Sequence, residues 1–200
     1  MTPITADSSD GYLLLTAHLE TAAVLAFEHL ARDLELHGAP TELVDRALRS
    51  ADDERRHQGA MEALCARRGL VPLPVVASGY VPRSLEAFAA DNAIEGCGRE
   101  TLGALVALHQ AEHADTEDLR AILRDIAEDE VQHAELAWDI AAWLAPRLSG
   151  AERGRHDRAR RNAVAAFHDM TFPGTPFGLP STDTLRFYAE SLAASLTLAA

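Results

Sequence analysis

The sequence predicts an all-α protein built on a bundle of four long helices. Alanine, leucine, glutamate and arginine dominate, β-branched runs are scarce, and glycine and proline punctuate the chain only at wide intervals. With 48% apolar side chains over 200 residues, a sizeable core can form and a disordered chain is excluded. The first helix starts near Ser9 and Asp10 and runs to His37, where Gly38 can take the left-handed position and Pro40 blocks continuation. Thr41 is expected to cap a second helix, which passes through residues 51–66 and stops at Gly69. Residues 70–83 carry three prolines and a valine-rich stretch without helical period, so they read as an extended linker. Ser84 caps a third helix to about His113, Asp115 and Thr116 break it, and a fourth runs from about Glu117 to Leu144, before Pro146. At 1.5 Å rise per residue, such helices are about 40 Å long, as in bundles.

The pattern weakens after Gly150. Arginine-rich residues 153–161 lead into a short fifth helix expected over 162–170, the proline- and glycine-rich residues 171–181 exclude a helix, and 182–198 read as a short terminal helix. The expected division is a bundle over 1–146 and a helical extension, 147–200, packed on it.

Charge and cysteine narrow the function. Thirty-one acidic residues stand against 18 basic ones, all arginine, giving a net charge of -13. So acidic a chain repels phosphate backbones and anionic lipid, which disfavours nucleic-acid and membrane-surface partners. No apolar run reaches the roughly 20 residues a membrane helix needs, and the first twenty residues lack the basic start of a secretory signal, so the expected location is cytoplasmic. Only Cys65 and Cys97 occur, without a CxxC pair, so sulfur-ligated zinc or iron–sulfur sites are excluded. Metal chemistry would fall to carboxylates and histidines.

The two halves repeat. An offset of 76 residues superposes Leu43 on Leu119, Ala51 on Ala127, Asp53 on Asp129, Glu54 on Glu130 and His57 on His133, so each half carries Asp-Glu-x-x-His. Residues three apart share a helix face, and each Glu/His pair lies on an apolar stripe: Leu43, Ala47, Met61 and Leu64 in one case, Leu123, Ile126, Ala137 and Ile140 in the other. Burying such acids needs a neutralising partner, and a metal pair is the economical one. A carboxylate-bridged dimetal bundle also needs one Glu from each remaining helix. Glu20 and Glu54 are centred on the turn after helix one; Glu95 and Glu130 are centred beside the Asp115 break. Glu28, Glu35 and Glu100 fit this midpoint rule less well and read as surface charges. The expected ligands are therefore Glu20, Glu54, His57, Glu95, Glu130 and His133. Four carboxylates and two imidazoles suit two iron ions, with manganese or a mixed Mn/Fe pair as the alternative.

These residues resemble the signature of the ferritin-like di-iron superfamily, over roughly residues 10–146. The resemblance implies a left-handed four-helix bundle with a long crossover between helices two and three. It also implies metals at mid-bundle and an oxygen- or peroxide-activating oxidoreductase acting on a small molecule or on ferrous iron. The alternative is an iron-binding or iron-buffering protein with incidental ferroxidase activity. Iron-storage ferritins usually lack the second histidine motif, so His133 favours the oxidase or oxygenase type. The chain resembles rubrerythrins in its ligand set but lacks their cysteine-rich module and has Gly98 where their extra glutamate is expected. An oxygenase of this kind takes electrons from an external donor, and a homodimer is the candidate assembly. Asp53 and Asp129 are expected to accept the second N–H of the ligand histidines, Asp53 from His133 and Asp129 from His57. Gly96 and Gly98, costly inside a helix, point to close helix packing in preference to space beside the metals. The remaining histidines, the tryptophans and Cys97 read as packing or surface residues.

Overall fold

A computed structural model describes residues 8–77, 79–168, 170–172 and 177–198. All regular structure among them is helical. The chain divides into two compact units, one formed by residues up to Pro82 with Phe177, the other by the residues from Arg83 onward apart from that contribution.

The first unit is an antiparallel hairpin of α1 (Ser9–Leu36) and α2 (Thr41–Arg67). Ser8 caps α1 by accepting from the Gly11 amide, and the chain turns through Gly38 at φ +69°. Thr41 is the first residue of α2 and not its cap; Pro40 precedes it, and no side chain caps that end. Leu13, Ala17, Val24, Phe27 and Leu34 meet Leu43, Ala47, Met61 and Leu64 in the core, all less than a tenth exposed. Contrary to the expectation that no apolar stretch reaches that length, α1 is long and apolar enough to cross a membrane, by length and composition alone. Its buried stripe nevertheless packs on α2.

The described residues of the linker form no helix or strand. The Leu73 carbonyl lies 3.3 Å from His18 Nδ1, and the Tyr80 hydroxyl donates to Asp33 Oδ1 at 2.8 Å. Leu73 is thus placed beside His18, and Tyr80 beside Asp33, close to the turn into α2.

The second unit holds α3 (Leu85–Asp91), a π-helical segment (Asn92–Glu100), α4 (Thr101–His113), α5 (Glu117–Leu144), a 3₁₀ turn (Ala145–Arg147), α6 (Gly150–Ala165) and α7 (Thr182–Leu198). Ser84 caps α3 through the Ala87 amide. The backbone stays helical through Asn92 and Thr101, so α3, the π segment and α4 form one continuous rod. Thr116 caps α5 through the Leu119 amide. The fifth helix differs from expectation: α6 starts at Gly150, because Ser149 and Glu152 form a reciprocal capping box, and it takes in the arginine-rich residues. Residues 166–168 form a turn, and residue 169 lies outside the described set. The rod and α6 meet closely. A Cβ on Gly98 would lie 2.8 Å from Ala163 Cβ, and one on Gly96 2.7 Å from Ala137 Cβ on α5. Both glycines therefore serve close packing.

Candidate metal centre

In the first unit, α1 contributes Glu20 and α2 contributes Glu54 and His57. One ligand atom from each lies within 4.8 Å of the others. His57 Nδ1 is 3.6 Å from Glu54 Oε2 and 3.8 Å from Glu20 Oε2. Neither separation is a hydrogen bond. Two donors of one ion behave otherwise: with bonds of about 2.1 Å, separations of 3.6 and 3.8 Å subtend roughly 120–130° at a shared centre. Glu54 and His57 are each only 2% exposed, so the carboxylate is removed from bulk water. Carboxylate oxygens and an imidazole nitrogen are metal donors, so this group could hold a metal ion.

The second unit builds a matching group with one substitution. Glu130 and His133 stand on α5, with Glu130 Oε1 3.9 Å from His133 Nδ1, and His133 is 1% exposed. Their third partner is Glu100, whose carboxylate lies within 4.8 Å of both.

Glu95, expected as the ligand of the third helix, is not brought to either group. Its side chain is 48% exposed, and both its carboxylate oxygens accept from Arg99 at 2.8 Å. The cause is the π segment. In an uninterrupted α-helix Phe88, Glu95 and Leu102, seven residues apart, share one face. The π segment follows i→i+5 bonding, and its buried residues, Asn92 with Cys97 and Ala93 with Gly98, are indeed five apart. The extra residue in each hydrogen-bonded ring widens the turn and rotates Glu95 outward. It also carries Glu100 onto the stripe continued by Ala104, Ala107 and Ala111. No pattern of residue types in the sequence signals this shift.

No family model, curated protein or solved structure matches this chain. The site therefore rests on its own geometry.

Asp53 accepts from Arg56 at 2.6 Å and is partly buried, as is Asp129. Cys97 is fully buried, lies 3.4 Å from the Ala137 carbonyl, and has its thiol pushed up to about 11 by burial, with Arg160 opposing weakly. It is an inert packing thiol at neutral pH. Phe177 is buried against the Tyr12 ring at 5.5 Å, ordinary packing of the tail.

Proposed function

We propose that the chain is a ferritin-like dimetal protein, each of its two triads holding one ion. The ligand set is Glu20, Glu54 and His57 with Glu100, Glu130 and His133, and the activity is that of an oxygen- or peroxide-activating oxidoreductase. The observation that carries this reading is the recurrence in both units of a Glu-x-x-His motif on a core stripe, joined by a third carboxylate from the neighbouring helix. Four carboxylates match the charge of two divalent ions, which answers why acids are tolerated at such burial. A bound iron pair supplies Lewis acidity and redox electrons for activating oxygen or peroxide. The chain's own residues do the rest. Glu54 and His57 exclude bulk water, the apolar stripes fix their rotamers, and Asp53 and Asp129 are placed one residue before each ligand glutamate to accept the histidines' second N–H. An external reductase supplies electrons.

Anaerobic titration with ferrous iron, followed by oxygen and Mössbauer or absorbance readout, tests the reading. Two irons per chain are expected, with binding abolished by Glu54→Ala combined with Glu130→Ala. Fewer than two, or binding indifferent to those changes, overturns the dimetal centre. Turnover of a small molecule with a reductase supports the oxidoreductase; uptake and release of iron without turnover assigns the chain to iron buffering.

A further inference from the structure

The π segment is the one irregular stretch of the rod, and two of its side chains meet a single atom. Asn92 Nδ2 donates to the Ala137 carbonyl of α5 at 3.0 Å, and Cys97 Sγ lies 3.4 Å from the same oxygen. The two side chains also touch, with Asn92 Nδ2 3.7 Å from Cys97 Sγ. Asn92 and Cys97 are both buried, so the cluster is closed to bulk solvent. Gly96 makes room for it: a Cβ there would stand 2.9 Å from Asn92 Oδ1 and 2.7 Å from Ala137 Cβ.

Only a π register brings these two donors together. Successive residues of an α-helix turn by about 100°, so residues five apart point about 140° away from each other and do not face one carbonyl. Rings closed by i→i+5 bonds stack residues five apart instead. A carbonyl oxygen has a second lone pair beyond the one directed along its own helix; Asn92 supplies a full N–H donor to it and Cys97 a weak S–H donor. Return to an α-helix would part the two donors, and a buried amide that loses its acceptor is costly. The pair therefore favours the π register over the α register.

We propose that Asn92 is a positioning residue: with Cys97 it pins the rod in the π register on the Ala137 carbonyl, and so selects Glu100, not Glu95, as the third carboxylate beside Glu130 and His133. Glu95 and Glu100 are themselves five apart, so loss of the pin exchanges one for the other. An uninterrupted helix carries Glu95 onto the face of Phe88 and Leu102 and turns Glu100 about 140° from it. The choice of metal ligand rests on the dimetal reading; the register itself does not.

Thiol labelling of the metal-free full chain reads the register without any metal. Cys65 and Cys97 are both buried, so a cysteine introduced in place of Glu95 or Glu100 gives the signal. With Asn92 present, Glu95→Cys should label faster than Glu100→Cys, since Glu95 is exposed and Glu100 partly buried. With Asn92→Leu, similar in volume and without a donor, the order should reverse. Ferrous titration then tests the choice of ligand. In the Asn92→Leu background Glu95→Gln should weaken iron about tenfold or more and Glu100→Gln should leave it unchanged, the opposite of the unaltered rod. A merely structural role for Asn92 would lower stability without exchanging the two glutamates. A labelling order indifferent to Asn92→Leu, or Glu100→Cys the faster with Asn92 in place, overturns the pin. A reversed order with iron still dependent on Glu100 overturns the selection of ligand; a reversed order with iron indifferent to both glutamates supports the pin and overturns the dimetal reading. Should Asn92→Leu not fold, Asn92→Ala, which favours an α-helix by propensity, carries the same comparison.

Discussion

Two glutamates five residues apart on the same rod give the sharpest contrast, because the π segment sends them to opposite fates. Glu95→Gln removes one half of an exposed ion pair with Arg99 at i,i+4 spacing. Pairs of that kind contribute about 0.3–0.5 kcal/mol. At roughly 2–4 °C per kcal/mol for a chain of this size, Tm should fall by about 1–2 °C, with metal affinity unchanged. Glu100→Gln removes one of three donors gathered within 4.8 Å. Losing even a residue that merely supports a ligand typically costs about 10–100-fold in metal affinity, and loss of a direct ligand should cost at least that, roughly 1.4–2.7 kcal/mol or more. Ferrous titration under argon against a competing chelator reads both variants on one scale. The reverse outcome, tenfold weaker iron binding in Glu95→Gln with Glu100→Gln unaffected, would refute the register shift and restore the uninterrupted helix as the better description.

Three further outcomes follow from other parts of the molecule. Chelation of iron-loaded protein should lower Tm by about 5–11 °C, since ligand at 100 times Kd stabilises by about 2.7 kcal/mol and the triads bind only when folded; a melt insensitive to chelator argues against both triads. Gly98→Ala places a methyl 2.8 Å from Ala163 Cβ, about 1 Å inside normal contact, so a double-mutant cycle with Ala163→Gly should give a coupling of about 1–3 kcal/mol, and additive effects would show that the contact is absent. The Cys97 thiol keeps its proton to about pH 11 when folded but releases it near 9.0 when unfolded. The unfolded chain thus binds fewer protons in that window, and stability should fall on the order of 2–3 kcal/mol as pH rises from 9 to 11; Cys97→Ala should flatten that slope in denaturant melts.

The helices of the first unit were legible because their ends are marked by residues with single physical uses. Gly38 and Gly69 both adopt φ +69° at the helix ends where the pattern put them. Ser84 caps its helix as read. α6 differs for the opposite reason: its arginines hide the helical period, and the Ser149 and Glu152 capping box that starts it lies about three turns or more upstream of the apolar signal at Ala163 and Val164. Glu54 and His57 stand out by their repeated motif, and Glu20 is matched to them by midpoint arithmetic that assumes 1.5 Å per residue on both arms, which are regular α-helix.

The same arithmetic failed on the rod because its premise failed there. A π segment of nine residues breaks the constant rise and rotation on which level-matching depends, and nothing in a hydrophobic period of 3.6 reveals it. The chemistry around it explains why the distortion is tolerated. Gly96 and Gly98 let α5 and α6 approach to distances no Cβ permits, and Asn92 Nδ2 and Cys97 Sγ both reach the Ala137 carbonyl, at 3.0 and 3.4 Å. Close packing of the neighbours and the wide turn of the rod are thus one arrangement, and the position it delivers to His133 is Glu100. The glycines bear on the metal centre through register, setting which glutamate faces inward, and not through space left beside it.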